Sequence, residues 1–148
     1  MNNKNFRILL ADDDPDDRMF FQDVLEEIHV QAQVKMVQNG VELMDFLQHN
    51  IHELPHVLFL DLNMPLKSGT ECLLEIKVNG DLKHIPVIVY STTANPDVIE
   101  QVYNLGAQYY VRKEGDFSSL KAVVGKALSL CQKDSNTQPM RTNFLILI

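Results

Sequence analysis

Apolar and polar positions follow two rhythms along this chain. Short apolar runs at 7–11, 34–37, 57–60, 87–90 and 109–111 predict strands. Between them, apolar residues three and four apart predict helices over 15–28, 41–49, 70–78, 96–105 and 117–132. Met19, Phe20, Val24, Leu25 and Ile28 carry the spacing in the first helix, and Leu120, Val123, Val124, Ala127 and Leu128 carry it in the last. Asn39-Gly40, Asn79-Gly80, Leu105-Gly106 and Glu114-Gly115 punctuate the elements as turn signals. Five strands alternating with five helices predict βαβ units and a doubly wound (βα)5 α/β fold with a parallel five-stranded sheet. Val57-Leu58-Phe59-Leu60 and Val87-Ile88-Val89 are continuous apolar runs, as strands covered on both faces require.

A chain of 148 residues suits one domain with a sizeable core. The net charge of −7 argues against a nucleic-acid surface, which needs a basic patch. Cys72 and Cys131 show neither metal-ligand spacing nor a disulfide framework, so both are expected as buried thiols in a reducing compartment. The N-terminus lacks the apolar segment of a signal peptide, and no apolar run reaches membrane-spanning length. A cytoplasmic protein is expected, with no membrane partner. The five histidines, 29, 49, 52, 56 and 84, are expected at the surface; Pro55 breaks any helical register between His52 and His56.

The periodic pattern covers residues 1–133, and residues 134–148 form an extension. The extension begins polar and ends Phe144-Leu145-Ile146-Leu147-Ile148, which is unfavourable to leave in water. That apolar end is expected to dock as a strand or extended arm, either on its own domain or on a second copy as a homodimer.

The run Ala11-Asp12-Asp13-Asp14-Pro15-Asp16-Asp17 follows the first strand directly. Two carboxylates about 5 Å apart repel by roughly 3 kcal/mol at an effective dielectric near 20. Asp14 before Pro15 reads as a helix N-cap followed by an N1 proline, and Asp16 and Asp17 fall in a first turn where the helix dipole favours negative charge. Asp12 and Asp13 have no such role; either solvent or a bound cation must offset their repulsion.

Other polar residues also fall at strand ends: Asp61 after the third, Ser91 and Thr92 after the fourth, Arg112 and Lys113 after the fifth. In an open parallel sheet these ends share one edge, where ligands bind. Carboxylates from two strands, a hydroxyl and an ammonium would therefore converge. Three carboxylates and a carbonyl form a hard oxygen site suited to Mg²⁺. Asp61, alone at the end of a central strand, is the candidate nucleophile. An aspartate beside Mg²⁺, Lys113 and Ser91 is equipped to accept a phosphoryl group, with charge on the equatorial oxygens neutralised around it.

The ordered set Asp12-Asp13, Asp61-Leu62-Asn63-Met64-Pro65 with Gly69, Ser91, Tyr110 and Lys113 resembles the receiver domain of two-component response regulators, over the chain to about Gln132. The resemblance implies a flavodoxin-like strand order, 2-1-3-4-5. It implies that Asp61 is the phospho-acceptor and that Asp12, Asp13, Asp61 and the Asn63 backbone carbonyl hold Mg²⁺, with Asp13 the more direct ligand and Asp12 acting partly through water. It implies that Ser91 is the switch hydroxyl, that Tyr110 is the aromatic that follows it, and that Lys113 pairs with phosphate or Asp61. Asn63 and Thr93 would border the water path that sets phosphate lifetime. The expected protein is a stand-alone, chemotaxis-regulator-like bacterial phosphoprotein of the phosphorelay type, not an enzyme beyond its own phosphorylation and slow self-dephosphorylation. Its partners would be a histidine kinase or phosphotransfer protein and a downstream protein target. Output would pass through the fourth helix, fifth strand and fifth helix, and Tyr109 is expected partly exposed, toward a partner.

The sequence departs from this pattern in three places. Glu114 stands where the family has proline after the lysine; a non-proline cis bond costs about 3–4 kcal/mol, so the Lys113–Glu114 bond is expected trans, or cis under strain. Thr92 adds bulk after Ser91, and the apolar tail lies outside the family core. Two other readings compete. One is an aspartyl-nucleophile phosphatase of haloacid-dehalogenase type, which wants a second aspartate where Asn63 stands. The other is a receiver-like scaffold that takes no phosphate.

Overall fold

The computed structural model describes residues 6–113, 116–133 and 138–146. The strands are β1 (Arg7–Ala11), β2 (Gln33–Val37), β3 (Val57–Leu60), β4 (Val87–Ser91), β5 (Tyr109–Arg112) and β6 (Leu145–Ile146). The helices are α1 (Pro15–Glu27), α2 (Gly40–His49), α3 (Gly69–Val78), α4 (Pro96–Asn104) and α5 (Phe117–Lys133). All pairings are parallel, in the order β2-β1-β3-β4-β5-β6. The doubly wound reading and the 2-1-3-4-5 order hold. The sheet has six strands rather than five, because Leu145 and Ile146 pair with Tyr110 and Val111 on the edge of β5. An unpaired strand edge offers a row of backbone groups, and Leu145 and Ile146 take it up.

The central strands are buried throughout, yet their residues divide by alternation. Leu58, Leu60, Val87, Val89 and Tyr110 pack with Leu43, Leu73, Ile76 and Val102 of α2, α3 and α4. Val57, Phe59, Ile88, Tyr90 and Val111 pack with Phe21, Val24, Leu120, Val124 and Ala127 of α1 and α5. Tyr109 is 6% exposed and belongs to this second layer, which corrects the expectation of a partly exposed residue: the layer that holds α5 covers it. Cys72 and Cys131 are free and buried, and burial pushes both thiols up to about 11. No helix among the described residues is long and apolar enough to cross a membrane.

Side-chain caps define the helix starts, as expected from the sequence at Asp14. The Asp14 carboxylate accepts from the amides of Asp16 at 2.8 Å and Asp17 at 3.4 Å, with Pro15 at the first helical position. Asn95 caps α4 through the Asp97 amide, ahead of Pro96. Ser68 and Glu71 form a reciprocal capping box on α3. Capping each start here fixes where the preceding strand-end loop turns back over the sheet.

The loop between β3 and α3 is tightly drawn. The Gly69 amide donates to the Leu62 carbonyl at 3.0 Å, and a β-carbon at Gly69 would overlap the Asp61 carbonyl oxygen. Only glycine allows the helix to start this close to Asp61. Leu66, in the same loop, is 79% exposed and has φ 69°, a left-handed conformation strained for a side chain of this type. Leu66→Gly relieves that strain with little packing lost. A stability gain of up to about 1 kcal/mol is expected in denaturant unfolding.

Candidate functional site

The strand ends converge as the topology requires. Asp12 follows β1, and its amide donates to the Val37 carbonyl. Asp61 follows β3, its amide bonded to the Ala11 carbonyl, and Lys113 follows β5, its amide bonded to the Ser91 carbonyl at 2.8 Å. The ladder thus continues one residue past each strand and carries these side chains to one edge.

The Lys113 ammonium is the hub. It lies 2.9 Å from Asp12, 2.8 Å from Asp17 and 3.3 Å from Asp61. Its side chain is 10% exposed, and it sits 5.2 Å from the centre of the Tyr90 ring. Burial alone would lower its affinity for the proton. Attraction to the Asp17, Asp12 and Asp61 carboxylates more than reverses this and holds it cationic. The role of Asp17 is larger than its sequence position suggests. Its first-turn place is as expected, but its carboxylate also reaches Lys113. The only signal for this was its position after the acidic strand end.

The two buried carboxylates answer to burial first. Asp12 is fully buried and raised above the ordinary carboxylate value, although Lys113 and the Asp14 amide pull it back. Asp61, 4% exposed, is raised to about 6 by burial and by Asp12, against the pull of Lys113 and the Asn63 amide. A carboxylate raised in this way marks strain that an added positive charge would relieve.

The acid set fits a metal. Oxygens of Asp12, Asp13 and Asp61 come within 4.8 Å of one another, and Asp13 is exposed toward solvent. Asp12 Oδ2 is buried and has only the Lys113 charge beside it, without an aligned hydrogen bond. An all-oxygen acidic donor set of this kind suits a small hard divalent cation such as Mg²⁺ or Mn²⁺. The Arg18 guanidinium donates to the Asp12 carbonyl at 2.8 Å and pins the turn that presents Asp12 and Asp13.

Ser91 is the last residue of β4 and is buried, where the sequence reading had it just beyond the strand. Its hydroxyl accepts from the Thr93 amide at 3.3 Å. The Tyr110 hydroxyl donates to the Thr93 carbonyl at 2.9 Å, and the ring is fully buried. Burial raises the Tyr110 phenol, and a hydrogen bond with Ser91 partly offsets this. Ser91, Thr93 and Tyr110 therefore form one connected unit beside the acids. Thr92 and Asn63 are exposed at the rim. Glu114, and with it the Lys113–Glu114 bond, lies outside the described residues. All five histidines are exposed, and none joins the cluster; His56 instead stacks on Phe6 and accepts from the Arg7 amide.

The chain is similar in sequence and fold to known proteins. A family model described as the response regulator receiver domain matches residues 8–125. The response regulator Rcp1 of Synechocystis is 36% identical over 121 residues, spanning 79% of this chain and 82% of the relative. The crystal structure of the Mn²⁺-bound form of Rcp1 is similar with a TM-score of 0.76 and 32% identity, covering 91% of this chain and 99% of that one. The phosphorylated cyanobacterial phytochrome response regulator RcpA is similar with a TM-score of 0.78 and 34% identity, at the same coverage.

Proposed function

We propose, on the premise that this chain belongs to the response regulator receiver family of two-component signalling, that Asp61 is the carboxylate on which it carries a phosphoryl group. The observation that carries this reading is the Lys113 ammonium held among Asp12, Asp17 and Asp61, with the acid triad converging beside it. The donor is a phosphohistidine on a histidine kinase or phosphotransfer protein. An Asp61 oxygen attacks phosphorus, the new O–P bond forms, and the P–N bond breaks with its electron pair leaving on the imidazole.

This chain's own groups do the rest. Lys113 balances charge on the transferring oxygens, and Ser91 donates a hydrogen bond to one of them. Asp12, Asp13, Asp61 and the Asn63 backbone carbonyl would hold Mg²⁺, which supplies further charge neutralisation at those oxygens. Hydrolysis by water attack on the acyl phosphate returns the carboxylate, and Asn63 and Thr93 border the water's path and set the lifetime. Ser91 shifts toward the phosphoryl group, and Tyr110 follows it. Catalysis is confined to the chain's own phosphorylation and slow dephosphorylation. The signal passes in the cytoplasm to a downstream protein through α4, β5 and α5.

Mixing the chain with Mg²⁺ and acetyl phosphate tests this by intact mass. One added phosphoryl group is expected, absent in Asp61→Asn and without Mg²⁺. Repeated turnover of small phosphates would instead favour an aspartyl phosphatase, and an unmodified chain a receiver-like scaffold.

A further inference from the structure

The segment 138–146 is held by contacts too specific for a loose end. The Tyr110 amide donates to the Phe144 carbonyl at 3.0 Å, and Leu145 and Ile146 continue the sheet as β6. The Phe144 ring is fully buried, 5.0 Å from Tyr103 of α4 and 6.2 Å from Tyr110 of β5. Gln138 donates to the carbonyls of Tyr103 and Ala107, each at 2.7 Å, and the Tyr103 hydroxyl donates to the Pro139 carbonyl at 2.8 Å. Arg141 pairs with Glu100 at 2.7 Å and lies over the Tyr103 and Phe144 rings. The edge of β5 and the flank of α4 thus make a groove that holds this segment, a 3-10 turn at Arg141–Asn143 followed by a strand, by backbone pairing, one aromatic anchor and four polar contacts.

We propose that this groove is a strand-addition site whose resident ligand is the chain's own segment 138–146, which keeps the α4–β5 face closed to partner proteins until Asp61 is phosphorylated. The coupling rests on the reading of Asp61 and Ser91 given above. The Tyr110 ring is held on one side by the Thr93 carbonyl, next to Ser91, and on the other meets Phe144. A shift of the Ser91–Thr93 loop that moves Tyr110 removes one wall of the Phe144 socket. By linkage, an emptied socket also eases that shift.

The test uses the full chain, a labelled peptide of residues 138–146, and amide hydrogen exchange. Phe144→Ala should raise exchange at the Tyr110 amide and across 138–146 by roughly tenfold or more. It should also open the groove to the added peptide, which the natural chain excludes. Tyr103→Phe, which keeps the ring and loses one hydrogen bond, should show both effects more weakly and guards against a folding defect in Phe144→Ala. Phosphorylation of the natural chain, followed by mass, should admit the peptide, while Asp61→Asn with the same reagents should not. Equal exchange in Phe144→Ala and the natural chain, or a peptide that binds both alike or neither, overturns the groove. A chain that gains the phosphoryl mass yet keeps its tail protected overturns the coupling alone. A chain that gains no mass overturns the Asp61 reading and the coupling with it, and Phe144→Ala still decides the groove.

Discussion

Replacing Lys113 with alanine is expected to destabilise the protein by about 3–5 kcal/mol at neutral pH, the usual consequence of leaving buried carboxylates without their partner. Three carboxylates depend on this one ammonium, and Asp12 is completely buried. Without it, Asp12 and Asp61 must either stay charged in a poorly solvated cleft or take up protons. The loss is therefore largest at pH 7 and shrinks as pH falls and the acids are neutralised. Denaturant unfolding of the natural chain and Lys113→Ala at pH 7 and pH 5 reads this directly. An equal loss at both values would mean that packing of the lysine stem, not its charge, is what matters. Phosphoryl uptake from acetyl phosphate should fall in the same variant.

Asp61→Asn is expected to act in the opposite direction and stabilise the chain in the absence of divalent ions. Asp61 titrates at about 6 in the folded protein against an ordinary 3.8. The folded state therefore binds this proton more tightly than the unfolded chain does. Between those two values stability falls as pH rises; the penalty is absent below the lower value and complete above the higher. The shift corresponds to roughly 3 kcal/mol at pH 7. Asparagine carries no charge and escapes the penalty, so Asp61→Asn should melt higher at pH 7 in a chelator, and the gap should close by about pH 4. A lower melting point at pH 7 would show that the Lys113 attraction outweighs burial. Mg²⁺ should stabilise the natural chain more than the variant, because it relieves the same repulsion by mass action.

These effects share a cause with the signalling role. The site holds more negative charge than its solvent can neutralise, and Lys113 settles only part of the difference. That unbalanced charge is what the proposed Mg²⁺ site beside Asp61 would relieve. The stability lost there is offset by the two apolar layers behind the strands.

The alternating pattern was enough to determine the five central strands and five α-helices, each of which falls within one residue of its expected bounds. Period-two and period-3.6 burial are local properties and can be read one segment at a time. The cap at Asp14 was legible for the same reason, since a cap bonds to amides two or three residues away. The convergence of Asp12, Asp61, Ser91 and Lys113 was also accessible, because a parallel sheet gathers its strand ends whatever the loops do.

Three things waited for the tertiary structure. The reach of Asp17 to Lys113 spans 96 positions and depends on how α1 leans toward β5. The burial of Tyr109 depends on which layer each side of β5 meets. The sixth strand depends on an edge that exists only once β5 is in place. Local patterning already showed that the tail's apolar end needed cover and that the clustered acids needed their charge offset. Only the folded sheet decided that its own edge would supply the cover and that Lys113 would stand among three carboxylates at once. Both follow from contacts between segments far apart in the chain, which no local pattern encodes.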